Sequence, residues 1–200
     1  PRILRARGDS TGKEIEETLI NMVKENPNIR VFEHMFALDL LVSKNTCNGI
    51  IAWRNRGGNT LIWAKQTILA SGGCGQVYRE TTNPEISTGD GIAMAYRAGI
   101  KLQDLEFVQF HPTTLYVAGA ERVLISETVR GEGGVLLNKF GERFMPKYHS
   151  SAELAPRDIV SRSVIQEIRK TDYTHVYLDV RHIPKEKLST RFPKIKKLCK

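Results

Sequence analysis

No apolar run in the sequence is longer than a few residues, far short of the roughly 20 needed to cross a bilayer. No transmembrane helix is expected. Signal-like apolar stretches and Arg-rich leaders are missing ahead of the first helical pattern as well. Cysteine is scarce: Cys47, Cys74 and Cys199 are odd in number, far apart and free of CxxC spacing. That argues against a disulfide framework or a cysteine-based metal site, so these residues read as reduced cytosolic thiols and no metal is expected. Repeats and low-complexity stretches are absent too.

What is present is an ordinary globular composition, 40% hydrophobic and 26% charged over 200 residues, enough for one domain or one and a half with a real core. The net charge of +8 is concentrated at one end, since residues 185–200 hold seven Lys/Arg and a single acid, Glu186. Only Phe192 interrupts that tail with an aromatic ring. It therefore reads as a solvated helix face rather than a nucleic-acid site. A basic binding module using this tail is the non-enzyme alternative.

Thr11 and Glu14 have capping-box spacing ahead of Ile15, Leu19, Met22 and Val23, and Pro27 stops the run, so the first element is a surface helix. Four β-rich runs follow, 29–33, 37–43, 49–54 and 60–64. Lys44-Asn45 and Gly57-Gly58-Asn59 punctuate them, which predicts an antiparallel meander for the last three. Thr67 to Ala70 is a further apolar strand running into Ser71-Gly72-Gly73. A second helix opens at Thr88-Gly89-Asp90-Gly91 and ends at Ala98, with Gly99 as its left-handed terminator. Residues 106–111 are short and extended. Val135–Asn138 and Glu142–Phe144 would form a hairpin, and Pro156 would open a helix with Val160, Val164 and Ile168 on one face. A boundary near residue 105 separates a mixed β/α part from an α+β part.

Taken singly, each local motif has a bland reading: a glycine turn after a strand, an Asp capping a helix, a satisfied histidine. Their order is more specific. Leu69-Ala70-Ser71-Gly72-Gly73, Thr81-Thr82-Asn83-Pro84, Thr88-Gly89-Asp90-Gly91, Phe110-His111-Pro112-Thr113, Ser126-Glu127, Arg130-Gly131-Glu132-Gly133 and Ala155-Pro156-Arg157-Asp158 follow one another along the chain. Together they resemble the flavoprotein family that comprises the L-aspartate oxidases and the flavoprotein subunits of succinate dehydrogenase and fumarate reductase. Glu153 to Val160, with Pro at 156, and Tyr177-Leu178-Asp179-Val180-Arg181-His182 lean toward the oxidase branch. The dehydrogenase or fumarate reductase subunit is the alternative enzyme.

The resemblance implies an α/β and α+β fold, part of a two-dinucleotide-binding-type FAD domain interrupted by an α+β capping domain. Residues 1–105 would belong to the FAD domain and 106–200 to the cap. A strand with GxGxxG would precede Pro1, and a further His and Arg would follow Lys200, so the chain is expected to be an internal fragment, inactive alone. By position, Phe36 and Ala37 would approach the adenine side of FAD, Ala70, Ser71, Gly72 and Gly73 would pass along it, and Asp90 would bind it. His111, Thr113, Ser126, Glu127 and Arg157 would line the substrate pocket. Ser126 departs from the family's usual Thr, keeping the hydroxyl and losing a methyl.

The implied reaction is oxidation of L-aspartate to iminoaspartate by hydride transfer to flavin N5, with oxygen or fumarate as acceptor, in de novo NAD biosynthesis. Arg157 would grip one carboxylate bidentately, and His111 would donate to the other. Glu127 would attract or accept the amine proton, or else form a salt bridge to Arg130. In the fumarate-reducing direction the family places the proton donor at the position of Arg157. For oxidation its electrostatic role is expected, because a guanidinium with a pKa above about 12 is a poor acid or base. The resemblance further implies a cytoplasmic enzyme, with no membrane or nucleic-acid partner and a hand-off of iminoaspartate to quinolinate synthase.

Overall fold

The computed structural model describes residues 6, 10–116 and 122–198; Cys199 and the last residue of the basic tail lie outside them. Contacts group Pro27–Val108 into one compact unit, and the described residues of 1–26 and 109–200 into another.

Helix α1 (Thr11–Glu25) forms where the 3.6-residue pattern puts it and stops before Pro27. None of its residues is buried. The expected capping box does not form: Ser10 is the N-cap, without a side-chain bond, and the Thr11 hydroxyl instead accepts from Ala6 N–H at 3.2 Å.

In the first unit, β1 (Met35–Ser43), β2 (Thr46–Arg54) and β3 (Gly58–Trp63) make the antiparallel meander, in the order β1-β2-β3. Lys44 and Asn45 both have positive φ, 48° and 63°. This is the two-residue turn whose twist matches the strands it joins. Gly49 on the central strand is obligatory, because a Cβ there would run into the Ile62 carbonyl across the sheet. Two expected strands are absent. Residues 29–33 and 67–70 have the apolar composition of strands but pair with nothing among the described residues, and Ile68 is 91% exposed. Composition marks a segment able to pair; it does not supply the partner.

Helix α2 (Asp90–Arg97) ends in a Schellman motif, with Ile100 N–H donating to Ala95 O and Gly99 N–H to Tyr96 O. Gly99 takes φ 79°, as the left-handed position demands. The helix is tied to β1 by Arg97, which donates from Nε to Asp39 Oδ2 and from Nη2 to Leu38 O, both at 2.9 Å.

The second unit contains β4 (Thr114–Leu115), β5 (Val123–Leu124), α3 (Glu127–Gly131), β6 (Val135–Leu137), α4 (Arg157–Thr171), β7 (Tyr177–Asp179), α5 (Lys185–Arg191) and α6 (Pro193–Leu198). Its core is Leu136, Phe144, Met145, Ala155, Val160 and Val164, with Ile168 packed against it. The predicted apolar face of α4 is therefore the buried one. Pro156 is the N-cap and Arg157 the first helical residue. The predicted hairpin at 135–144 reduces to a tight turn with one bridge, Leu137 to Arg143. The ladder partner of β6 is β7, antiparallel and some forty residues later. In the basic tail, Lys187 and Arg191 pair with Glu132, and Phe192 is buried.

Two buried acids knit this unit together. Glu167 accepts from Asn138 Nδ2 at 2.9 Å and from the Tyr148 hydroxyl at 2.9 Å. Glu153, 3% exposed, accepts from Leu136 N–H at 3.1 Å and from Arg143 at 3.0 and 2.6 Å. Burial pushes the Glu153 carboxyl up, but Arg143 and the Leu136 amide outweigh it and leave the group below the ordinary carboxylate value. Its contribution is present above the unfolded-state pKa and is lost as pH falls through the lower native one. Glu153→Ala would leave a buried amide and a guanidinium unpaired, for a loss of about 3 kcal/mol. Urea unfolding at pH 7 should show that loss, and the difference between wild type and variant should shrink in acid.

Candidate functional site

Three short elements of the second unit converge on one polar cluster: the segment Gln109–Thr113, the start of α3 and the start of α4. Helix α3 is positioned by Ser126, whose Oγ accepts from Thr128 N–H at 3.3 Å. That makes Glu127 the first helical residue. At the start of α4, Arg157 donates from Nε to Glu127 Oε2 at 2.7 Å and from Nη1 to Gln109 Oε1 at 3.3 Å. Ser161, one turn further on, donates to Phe110 O at 2.8 Å and pins the incoming segment to the same helix.

The bond from Arg157, ahead of burial, holds the Glu127 carboxyl below its ordinary range, with the charges of Arg157 and Arg130 adding to it. Glu127 is therefore an anion at neutral pH. Its other oxygen lies 3.9 Å from Arg130 Nη2. Arg130 is 2% exposed and donates from Nη1 to the Glu153 carbonyl at 2.5 Å. Its Nε and Nη2 are buried without a hydrogen-bond partner among the described residues. The salt bridge to Arg130 expected from the sequence is the longer of the two contacts, and Arg157 makes the close one.

His111 is half-buried. Its Nδ1 lies 3.2 Å from the Thr113 amide nitrogen and 3.0 Å from the Thr113 carbonyl. The first contact suits the tautomer with its proton on Nε2, the second the reverse. Burial is the largest influence and lowers the His111 pKa. Thr113 and Glu127 work against this, while Arg157 and Arg130 reinforce it. Thr113 itself is buried and spends its hydroxyl proton on Ile125 O at 3.0 Å, while the Ser126 hydroxyl donates to Thr128 Oγ1 at 3.1 Å.

His111, Thr113, Ser126, Glu127 and Arg157 thus all fall within the second unit, with Glu127 and Arg157 in contact and Thr113 holding His111. Two further members are not among the candidate site residues, although the sequence offers Arg130 as a salt-bridge partner for Glu127. Gln109 sits two residues before His111 in a segment predicted to be extended, where a period of two would have paired them. Arg130 stands inside a quoted motif, but nothing local in sequence announces a buried guanidinium. Thr113 and Pro112 also line a largely apolar cavity of about 660 Å³ walled by Leu136, Val164, Leu188 and Phe192. Its lining contains no carboxylate, so the chemistry gathers at the polar cluster instead.

The remaining candidate residues belong to the first unit. Phe36 and Ala37 are on β1, with Phe36 exposed and facing Trp53 across the ladder. Ala70, Ser71, Gly72 and Gly73 are exposed. Gly72 takes φ 77°, with open space where a Cβ would stand. Asp90 opens α2 and accepts from the Thr88 hydroxyl. Gly91 behind it admits no Cβ, because Ser71 occupies that space. A bare glycine segment laid against a helix start is an arrangement a large phosphorylated or planar ligand can lie along. Among the described residues no group of three His, Cys, Asp or Glu side chains is placed to hold a metal.

The model of the FAD binding domain family matches residues 1–200. The L-aspartate oxidase of Nostoc sp. is 48% identical over 204 residues, covering 99% of this chain and 35% of that protein. The chloroplastic L-aspartate oxidase of Arabidopsis thaliana is 45% identical over 212 residues, with 99% and 32% covered. Among solved structures, a quinol-fumarate reductase with menaquinol molecules superposes with TM-score 0.88 at 38% identity, over 96% of this chain and 36% of that one. The chain spans about a third of the length of the curated relatives it matches.

The site makes a direct statement about protonation. A histidine whose native pKa lies below its unfolded one binds fewer protons when folded, so acid weakens the fold through that window. In the full-length protein, the His111 ring should titrate by NMR with a midpoint below the ordinary 6.5. Replacing Arg157 by Met should move it upward, by removing a neighbouring positive charge. A midpoint at or above 6.5 in the wild type would contradict the half-buried placement.

Proposed function

Because the chain belongs to the FAD binding domain family, we propose that the full-length protein is an FAD-dependent L-aspartate oxidase, converting L-aspartate to iminoaspartate. The observation that carries this reading is the Glu127–Arg157 pair at 2.7 Å, beside a half-buried His111, in a chain 48% identical to an L-aspartate oxidase. Residues 1–105 are assigned to the FAD domain and 106–200 to a capping domain. Phe36, Ala37, Ala70 to Gly73 and Asp90 are the proposed FAD contacts; the exposed glycine segment and the close Ser71–Gly91 packing support them.

FAD supplies the hydride acceptor, N5 of its flavin. The protein's part is positioning and charge. Arg157 has spent Nε on Glu127 and one Nη1 hydrogen on Gln109, and its Nη2 has no acceptor among the described residues. That outer edge suits a carboxylate. His111, kept neutral by burial, donates from Nε2 to the second carboxylate. Glu127, kept anionic by Arg157, attracts the substrate ammonium or accepts its proton before the hydride leaves. Fixing both carboxylates would orient the Cα–H, and that positioning is where most of the rate should arise. Thr113 holds His111, and Ser126 holds the helix that carries Glu127.

Oxygen or fumarate would serve as electron acceptor, and iminoaspartate would be handed to quinolinate synthase for NAD synthesis. Among the described residues no helix is long and apolar enough to cross a membrane, and a cytoplasmic enzyme is the proposed setting. A four-carbon dicarboxylate is common to this reading and to a fumarate reductase or succinate dehydrogenase. The amine is what separates them.

The test uses the flavin-loaded full-length protein under anaerobic conditions. L-Aspartate should bleach the flavin without a membrane partner, and succinate should compete. No bleaching by L-aspartate would refute the reading. A single positional carboxylate contact contributes about 1.5–3 kcal/mol, or roughly 10–150-fold in kcat/KM. Arg157→Lys, which keeps charge and loses the planar fork, should exceed that range with flavin retained. A raised KM at normal kcat would make Arg157 a binding residue only.

A further inference from the structure

We infer that Gln109 is a positioning and specificity-determining residue of this site, oriented to donate to a substrate carboxylate and not to accept from the substrate ammonium. The inference rests on the dicarboxylate reading above. Gln109 Oε1 lies 3.3 Å from Arg157 Nη1. A guanidinium has five N–H donors and no acceptor, whereas an amide has one end of each kind. The opposite orientation would set NH2 against NH2, donor against donor, so Arg157 fixes which way the amide is turned. The carbonyl faces the guanidinium, and the NH2 group, on the same carbon, is left as the free end.

Gln109 is an exposed residue, while the segment carrying it is anchored: the carbonyl of the adjacent Phe110 accepts from Ser161 Oγ at 2.8 Å. The same bond to α4 fixes the backbone between Gln109 and His111, so both approach the start of that helix from one held strand of chain. The cluster then divides cleanly by polarity. Arg157, His111 and the Gln109 amide present hydrogens, and Glu127 presents the acceptor. A substrate with two carboxylates and one ammonium has the complementary polarity. The carbonyl of Gln109 also stops the guanidinium from turning about its Glu127 contact, since Nε and Nη1 are held from two separate elements.

Two substitutions separate these roles in the flavin-loaded full-length enzyme. Gln109→Met removes both the acceptor for Arg157 and the outward donor. Gln109→Glu keeps an acceptor for Arg157 and turns the outward donor into an anionic acceptor. Steady-state kinetics with L-aspartate and inhibition by succinate are measured for each. Gln109→Met should raise the succinate Ki and the aspartate KM about tenfold or more and lower kcat as well, because Arg157 loses a restraint. Gln109→Glu should raise the succinate Ki at least as much, with its loss concentrated in KM. A succinate Ki within twofold of wild type in either variant would overturn the assignment. So would a Gln109→Glu enzyme that favours aspartate over succinate more than wild type does, since that would make the position a reader of the ammonium. A wild type that neither oxidises L-aspartate nor binds succinate would instead bring down the dicarboxylate reading, and this inference with it.

Discussion

Glu153 is a buried residue that answers to two neighbourhoods at once. Its carboxylate takes the Leu136 amide and the Arg143 guanidinium, fixing β6 and the turn behind it. Its main-chain carbonyl takes Arg130 Nη1, and so fixes the buried guanidinium of the site. Three residues later Pro156 caps α4 and sets Arg157 at its first turn. Core and chemistry are therefore not separate layers in this unit. A shift of the chain at Glu153 would be felt by Leu136 in the core, by Arg130 beneath Glu127, and by the helix start that presents Arg157.

Much of the architecture could be read locally. The two-residue turn at Lys44-Asn45, the α4 face of Val160, Val164 and Ile168, and the left-handed Gly99 each follow from short-range rules that operate within a few residues. The misreadings share a different cause. Residues 29–33 and 67–70 have strand composition, and the 135–144 segment has hairpin punctuation, but pairing depends on chain that lies elsewhere. β6 finds β7 some forty residues on, and no local pattern announces that choice. The Thr11 capping box failed more locally, since its hydroxyl found Ala6 first.

The site divides the same way. Ordered motifs pointed to His111, Glu127 and Arg157, but which acid meets which base is a three-dimensional fact. Arg130, three residues after Glu127, is the sequence-near partner, yet Arg157, thirty residues away, makes the 2.7 Å contact. Gln109 passed unnoticed because a neutral side chain carries no charge signature, and its importance comes only from the donor-only group beside it.

One anion stands between two cations here: Glu127 lies 2.7 Å from Arg157 and 3.9 Å from Arg130. The Glu153 carbonyl that holds Arg130 is a dipole and cancels no charge. The cluster therefore keeps a surplus positive charge, part of it in a guanidinium removed from water, where counter-ions screen it poorly. An incoming anion feels that field before it touches any donor. Capture of an anionic ligand there becomes a matter of long-range attraction as well as fit, and its rate should fall as ionic strength rises even where the bound geometry is unchanged.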